Sequence, residues 1–260
     1  MGIIYCEKDR TFTLQTKETT YQMQVDQYGF LLHLYYGKKA EGCMDYLLTY
    51  YDRGFSGNPY DAGTDRTYSM DSLPQELSCY GNGDFRSASL MLENGDGSMS
   101  CDMRYKNYTI RDGKYSLPGL PAVYADNEEV QTLEIVLEDP ATGVEAMLLY
   151  GVLPELDIIT RSVYIRNQSS EKIYVNKVMS AELDFLYGDY DLLTFYGRHA
   201  MERNLQKYRV AHGSQMIGSV RGTSSHQYNP MMILAEKGHN RGSWRLLCYV
   251  PLYIVENFPG

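Results

Sequence analysis

Carboxylates and arginines crowd one stretch of this chain. Asp52, Asp61, Asp65, Asp71, Glu76 and Asp84 fall between positions 50 and 97, and two of them are followed at once by arginine, as Asp52-Arg53 and Asp65-Arg66. Paired carboxylates perform glycoside hydrolysis, but only when they flank a bond at roughly 5–5.5 Å or 6.5–9.5 Å. Spacing along a β-rich chain does not set that distance. Asp in a Gly-rich stretch also has a structural use, capping turns through its side-chain oxygen. The Asp/Arg pairs admit a further reading. An arginine fork offers several donors and a carboxylate only acceptors, so together they match two neighbouring sugar hydroxyls. Salt bridges internal to the loop would use the same groups, and the residues alone leave both readings open.

Other chemistries lack their signatures. The five His, at 33, 199, 212, 226 and 239, are scattered and have no partner motif. Cys6, Cys43, Cys79, Cys101 and Cys248 form no C-x-x-C or Cys/His cluster, so zinc is not expected, and free thiols of a reducing cytoplasmic protein are. Gly81-Asn82-Gly83 is not followed by a helical pattern that could offer amide donors to a phosphate, so it reads as a turn. A net charge of -9 with no basic stripe argues against a nucleic-acid partner. The N-terminus carries no secretory signal pattern and no run of apolar residues is long enough to span a bilayer, so no membrane is expected.

The elements that must position these groups read as strands. Residues 11–16 and 21–25 alternate apolar and polar side chains, and 28–36 is a denser apolar run that suits a strand buried on both faces. Residues 50–97 are dense in Gly and Pro and read as long irregular loops, pinned by the apolar anchors Phe55, Tyr60, Tyr68, Leu73, Tyr80 and Phe85. Alternation resumes at 132–137. The turn Asp139-Pro140-Ala141-Thr142-Gly143 and a return over 144–150 then predict a hairpin. A second hairpin is expected from 158–167 and 172–185, the latter with Met179, Ala181, Leu183 and Phe185 on one face. Residues 198–206 are the best helical candidate, with a strand as the alternative. The 25 Tyr fit a strand-rich chain and also suit sugar faces. Together these predict an all-β protein of antiparallel sheets packed face to face, with at most short helices.

Several segments carry a resemblance. They are Asp52-Arg53-Gly54-Phe55-Ser56-Gly57-Asn58-Pro59, then Asp65-Arg66-Thr67-Tyr68-Ser69-Met70-Asp71-Ser72-Leu73-Pro74-Gln75-Glu76, then Tyr80-Gly81-Asn82-Gly83-Asp84-Phe85-Arg86, and finally Gly218-Ser219-Val220-Arg221-Gly222-Thr223-Ser224-Ser225-His226-Gln227-Tyr228-Asn229-Pro230. In this order they resemble the N-terminal domain of glycoside hydrolase family 36, the bacterial α-galactosidases. The resemblance implies that residues 1–260 form a single β-supersandwich domain of galactose-mutarotase type. A catalytic (β/α)8 barrel and a small C-terminal sandwich would lie outside this sequence. It implies a retaining hydrolase of terminal α-galactosides such as melibiose and raffinose, with no metal or cofactor. Both catalytic Asp residues would sit on the barrel, so this chain is expected to be inactive alone. Its expected partners are that barrel, α-galactoside sugars and further copies of itself in a tetramer. The long loop would reach a neighbour's active site and hold the sugar beyond galactose. The positions matching that motif are Asp52 and Arg66, and Phe55 and Tyr60 are added here as ring faces on chemical grounds. A stand-alone carbohydrate-binding module and a purely structural oligomerisation domain are the rival readings. The chain departs from the family pattern in having Gly rather than Pro at position 57, which predicts a looser loop. It departs again in Cys248–Phe258, where Pro251 suits a central strand poorly.

Overall fold

A computed structural model describes residues 2–52, 54, 57–118, 123, 125, 129–185, 188–219, 221, 225–237 and 246–251, the last six as backbone only. Among these residues the protein is all-β, and its only helical pieces are single 3-10 turns at Asp45–Leu47, Tyr60–Ala62 and Pro154–Leu156. The chain divides into two compact units, Met1–Asp184 and Phe185–Gly260.

In the first unit, β1 (Gly2–Cys6), β2 (Thr11–Gln15), β3 (Thr19–Val25) and β4 (Leu31–Lys38) form an antiparallel meander. So do β6 (Arg104–Asp112), β7 (Gln131–Glu138), β8 (Val144–Leu153) and β9 (Ile158–Asn167). Alternation explains how they meet. On β8, Ala146, Leu148, Tyr150 and Val152 share one face, and all are buried in one cluster with Phe12, Leu14 and Met23 from the first sheet and Leu133 and Ile135 from β7. Each fully buried Leu or Phe contributes about 1.5–3 kcal/mol relative to exposure, and the period of two fixes the register that keeps them inside. The β7–β8 hairpin turns at residues 139–143, where Asp139 accepts from the Ala141 amide (2.9 Å) and Gly143 takes a positive φ of 72°.

β4 is the hinge between core and loop. Leu31 packs into the sandwich cluster, whereas Leu32 and Leu34 join a second cluster with Phe30, Met44, Leu48, Ala62, Tyr68, Met70 and Leu73. The run is buried on both faces, and its second face is covered by the Gly/Pro-rich loop rather than by another sheet. Among the described residues that loop is irregular from Leu48 to Ser89 apart from the Tyr60–Ala62 turn and two isolated bridges; one of these joins Leu32 to Gln75. Strand β5 (Leu90–Glu93) ends it.

Three expectations need correction. Only Tyr174–Val178 of residues 172–185 is a strand (β10), and it pairs with β5, not with β9. Polar contacts replace the ladder beyond Val178: Glu182 accepts from the Ser78 amide and the Ser89 hydroxyl, both at 2.7 Å, and Asp184 meets Arg86 at 2.9 Å. The helical candidate at 198–206 is instead the corner of a hairpin in the second unit, between β11 (Tyr190–Arg198) and β12 (Met201–Arg209). Ala200 and Arg203 take φ of 64° and 57°, which no α-helix accommodates. Finally, of the predicted loop anchors only Tyr68 and Leu73 are buried. Tyr60, Tyr80 and Phe85 are exposed, and Phe55 lies outside the described residues.

The second unit is one antiparallel sheet ordered β12-β11-β13-β14, with β13 at Tyr228–Glu236 and β14 at Leu246–Pro251. Its prolines sit where a missing N–H is tolerated. Among the described residues Pro251 is on the outermost strand, and Pro230 lies at the irregularity where β13 departs from β11, before its pairing with β14 begins at Met231.

Candidate functional site: the Asp52–Arg66 loop

Tyr68 fixes the base of the loop. Its ring is buried, its hydroxyl donates to Asp26 Oδ2, and it meets Tyr28 edge-on at 4.7 Å. Burial and the adjacent Asp26 carboxylate push the Tyr68 phenol far above its ordinary range, so it stays a donor. Burial also raises Asp26, although hydrogen bonds from Tyr68 and from the Phe30 and Tyr28 amides offset part of the shift. Ahead of Tyr68 the chain makes the Asx turns that Asp and Asn favour. Asp65 Oδ1 accepts from the Thr67 amide (2.9 Å) and hydroxyl (2.6 Å), and these bonds hold its carboxyl below the usual range. Asn58 donates to the Asp65 carbonyl at 2.6 Å, which ties the two limbs together.

This scaffold brings Asp52 and Arg66 to one place. Arg66 Nη2 lies 3.3 Å from Asp52 Oδ1 and donates to the Gly54 carbonyl at 2.9 Å, while the Gly54 amide donates to Asp52 Oδ1 at 2.7 Å. Both side chains remain more than half exposed, at 62% for Arg66 and 51% for Asp52. Such an exposed pair adds little stability, but it presents guanidinium donors beside carboxylate acceptors to solvent. Tyr60 is 98% exposed, with its ring free of the core. Phe55 and Arg53 lie outside the described residues. In the second unit, Ser219 and Ser225 of the 218–230 motif turn the backbone by accepting from the Arg221 and Gln227 amides, both at 3.3 Å. Val220, Gly222, Thr223 and Ser224 lie outside the described residues, as do Leu252–Phe258.

Gly57 is closely packed against backbone. A Cβ there would stand 2.8 Å from Gly83 Cα and 2.9 Å from Gly83 O, so the position closes the backbone of one limb onto the Tyr80–Arg86 turn. Only glycine permits so close an approach.

Three groups of supporting residues were not legible as such in the sequence. Arg104 on β6 reaches Asp61 Oδ2 at 3.0 Å and Asp102 Oδ2 at 2.7 Å, donates to the Tyr28 carbonyl at 2.7 Å and covers the Phe30 ring at 3.9 Å. Arg86 closes the far limb, donating to Asp84 and to the carbonyls of Met70 and Leu73. Glu76 is fully buried at the loop's exit. It accepts from Tyr21 (2.6 Å), Tyr150 (2.6 Å) and Arg161 (2.6 Å), and lies 2.9 Å from His33 Nδ1. Burial alone would raise its carboxyl. The His33 contact and the Arg161 guanidinium outweigh that and hold it down at about 2.

Among the described residues, no group of three His, Cys, Asp or Glu stands close enough to hold a metal ion, and no helix is long and apolar enough to cross a membrane. The arrangement is an antiparallel β-sandwich unit carrying a pinned, exposed loop with paired Asp and Arg. The chain belongs to glycosyl hydrolase family 36, whose N-terminal domain model matches residues 29–243. It is similar to the bifunctional alpha-galactosidase/sucrose kinase AgaSK of Mediterraneibacter gnavus, with 57% identity over 254 residues, 98% of this chain and 27% of that protein. Alpha-galactosidase Mel36A of Lactobacillus acidophilus is 38% identical over 240 residues, 92% of this chain and 33% of that one. Two solved structures share the fold. The galactosidase domain of AgaSK superposes with a TM-score of 0.88 at 59% identity, over 91% of this chain and 33% of that one. A variant of alpha-galactosidase AgaA from Geobacillus stearothermophilus, in complex with raffinose, gives 0.83 at 38% identity, over 87% and 32%. The chain thus spans about a third or less of the length of these relatives.

Proposed function

We propose that residues 1–260 are the N-terminal domain of a cytoplasmic α-galactosidase that hydrolyses terminal α-galactosides of the melibiose and raffinose type. In this reading catalysis belongs to a barrel outside this sequence, and the domain packs on that barrel and supports assembly of a tetramer. Its loop supplies Asp52 and Arg66 in trans to the sugar beyond galactose in a neighbour's active site, with Tyr60 and Phe55 as ring faces. The observation that carries the reading is the Asp52–Arg66 pair itself. A rigid base holds it at 3.3 Å, yet it stays open to solvent and adds little to stability. An arginine and a carboxylate so placed can bridge two adjacent hydroxyls, the guanidinium donating and the carboxylate accepting. Raffinose in a relative's complex supports the substrate class.

The test compares two substrates on the assembled enzyme. Asp52→Ala and Arg66→Ala are expected to lower kcat/KM for raffinose by about 10- to 100-fold, the loss of one or two charge-assisted hydrogen bonds. Hydrolysis of an aryl α-galactoside, which has no second sugar, should change little. Equal loss on both substrates, or loss on neither, would refute the loop's role.

A further inference from the structure

Next to Arg66 in sequence, Asp65 and Thr67 line a second feature of the loop. This is a cavity of about 370 Å³ shared with Arg10, Gln24, Gln27 and Tyr50. The volume is at the small end of ligand pockets and suits a single ring. Its platform is Tyr50, whose ring is half exposed and stacks on Tyr68 with centroids 6.1 Å apart and planes inclined by 25°. Tyr68 is fixed by Asp26 and Tyr28, so the Tyr50 ring is held in place and presented at little entropic cost.

The polar groups are anchored in the same way. Arg10 Nη1 donates to the Asp26 carbonyl at 2.8 Å, and Gln24 Nε2 donates to the Asp9 carbonyl at 2.9 Å. Asp65 is oriented through its bonds to Thr67. Gln27 stands exposed at the rim. Amide, guanidinium and carboxyl groups line it beside an aromatic face, and its lining holds one guanidinium, Arg10, and two carboxyls, Asp26 and Asp65. That balance does not favour an anion, and amide, guanidinium and carboxylate groups beside a tyrosine ring suit a polyhydroxyl ring.

We propose that this cavity is a sugar subsite that takes one neutral hexose unit of an oligosaccharide, apart from the Asp52–Arg66 pair. It rests on the proposed function only for the kind of oligosaccharide. Because it is built wholly within Met1–Asp184, the 260-residue chain binds the sugar without any barrel.

The experiment is a titration of the ¹⁵N-labelled 260-residue chain with raffinose and with stachyose, read by amide shifts and by saturation transfer to the sugar. Wild type is expected to show saturable shifts around Tyr50, Gln27 and Asp65. Tyr50→Leu keeps an apolar cover on Tyr68 and should weaken binding about tenfold. Gln27→Ala, an exposed substitution that leaves the fold intact, should weaken it about fivefold. Asp52→Ala and Arg66→Ala should leave it unchanged. Absence of saturable binding by wild type would overturn the subsite, as would wild-type affinity in both Tyr50→Leu and Gln27→Ala. Binding lost in Asp52→Ala or Arg66→Ala alone would also overturn it, while leaving the proposed function standing. The reverse pattern separates the two claims. Binding that depends on Tyr50, with raffinose hydrolysis indifferent to Asp52 and Arg66, would uphold the subsite and refute the loop's role in trans.

Discussion

Arg104 on β6 and Asp61 in the loop meet at 3.0 Å, and that contact ties the turn between Asp52 and Arg66 to the sandwich. The same guanidinium covers Phe30 and caps the Tyr28 carbonyl, so it belongs to the core as much as to the loop. Arg104→Ala is expected to lower stability by about 1.5–3 kcal/mol, the range for hydrogen bonds to a charged group. Asp61→Ala, which removes only the half-exposed partner, should cost under about 1 kcal/mol. Both should raise amide exchange across residues 57–67, and Arg104→Ala should also raise it at Tyr28–Phe30. Exchange unchanged in both variants would show that the latch is idle.

Glu76 locks the exit of the loop into both sheets. Glu76→Gln removes the charge partner of the buried Arg161 guanidinium and is expected to cost about 3–5 kcal/mol, the range for breaking a buried pair on one side. The urea midpoint of the chain measures it. A midpoint within error of wild type would mean that the network is dispensable.

The same residue sets an acid limb. Because its folded carboxyl is held down at about 2, the stability it provides is fully present above its ordinary value of 4.5 and drains as pH falls from there toward 2. That difference corresponds to ~3 kcal/mol. Asp26, Glu182 and Asp184 act in the opposite sense. Burial raises their carboxyls, so they weaken the fold as pH rises through their folded values. Subtracting the Glu76→Gln stability curve from that of wild type isolates the Glu76 contribution. The difference should be flat above pH 5 and shrink below it.

Gly57 and Gly83 approach each other through bare backbone. Gly57→Ala is expected to cost about 1–3 kcal/mol through overpacking, and Gly57→Pro should not rigidify the loop but displace it. Thermal unfolding and proteolysis within residues 48–67 report the change. A stabilised Gly57→Pro variant would contradict the close contact.

What the sequence disclosed follows from where the determining information lies. The β7–β8 hairpin was legible because alternation and the 139–143 turn are local, and β4 because a doubly apolar run has few other uses. The partner of β10 was not legible, since a period of two names the buried face and not the neighbouring strand. Residues 198–206 are acceptable helix formers one by one, and only their pairing with β11 makes them a corner and a strand. Asp52 and Arg66 stood out through an Asp/Arg pattern and a family resemblance. Arg104 did not, and Glu76 stood out only as one carboxylate of a cluster and not as the centre of a buried network, because the partners of both lie on distant strands.

The most direct test of the account is hydrolysis of a chromogenic α-galactoside by the purified 260-residue chain, alone and mixed with a separately expressed family 36 barrel. An accessory domain predicts no hydrolysis by the chain alone and a rate for the mixture above that of the barrel alone. Hydrolysis by the chain alone would place catalytic carboxylates within these residues, and a barrel rate unmoved by the chain would remove its claim to a role in the enzyme.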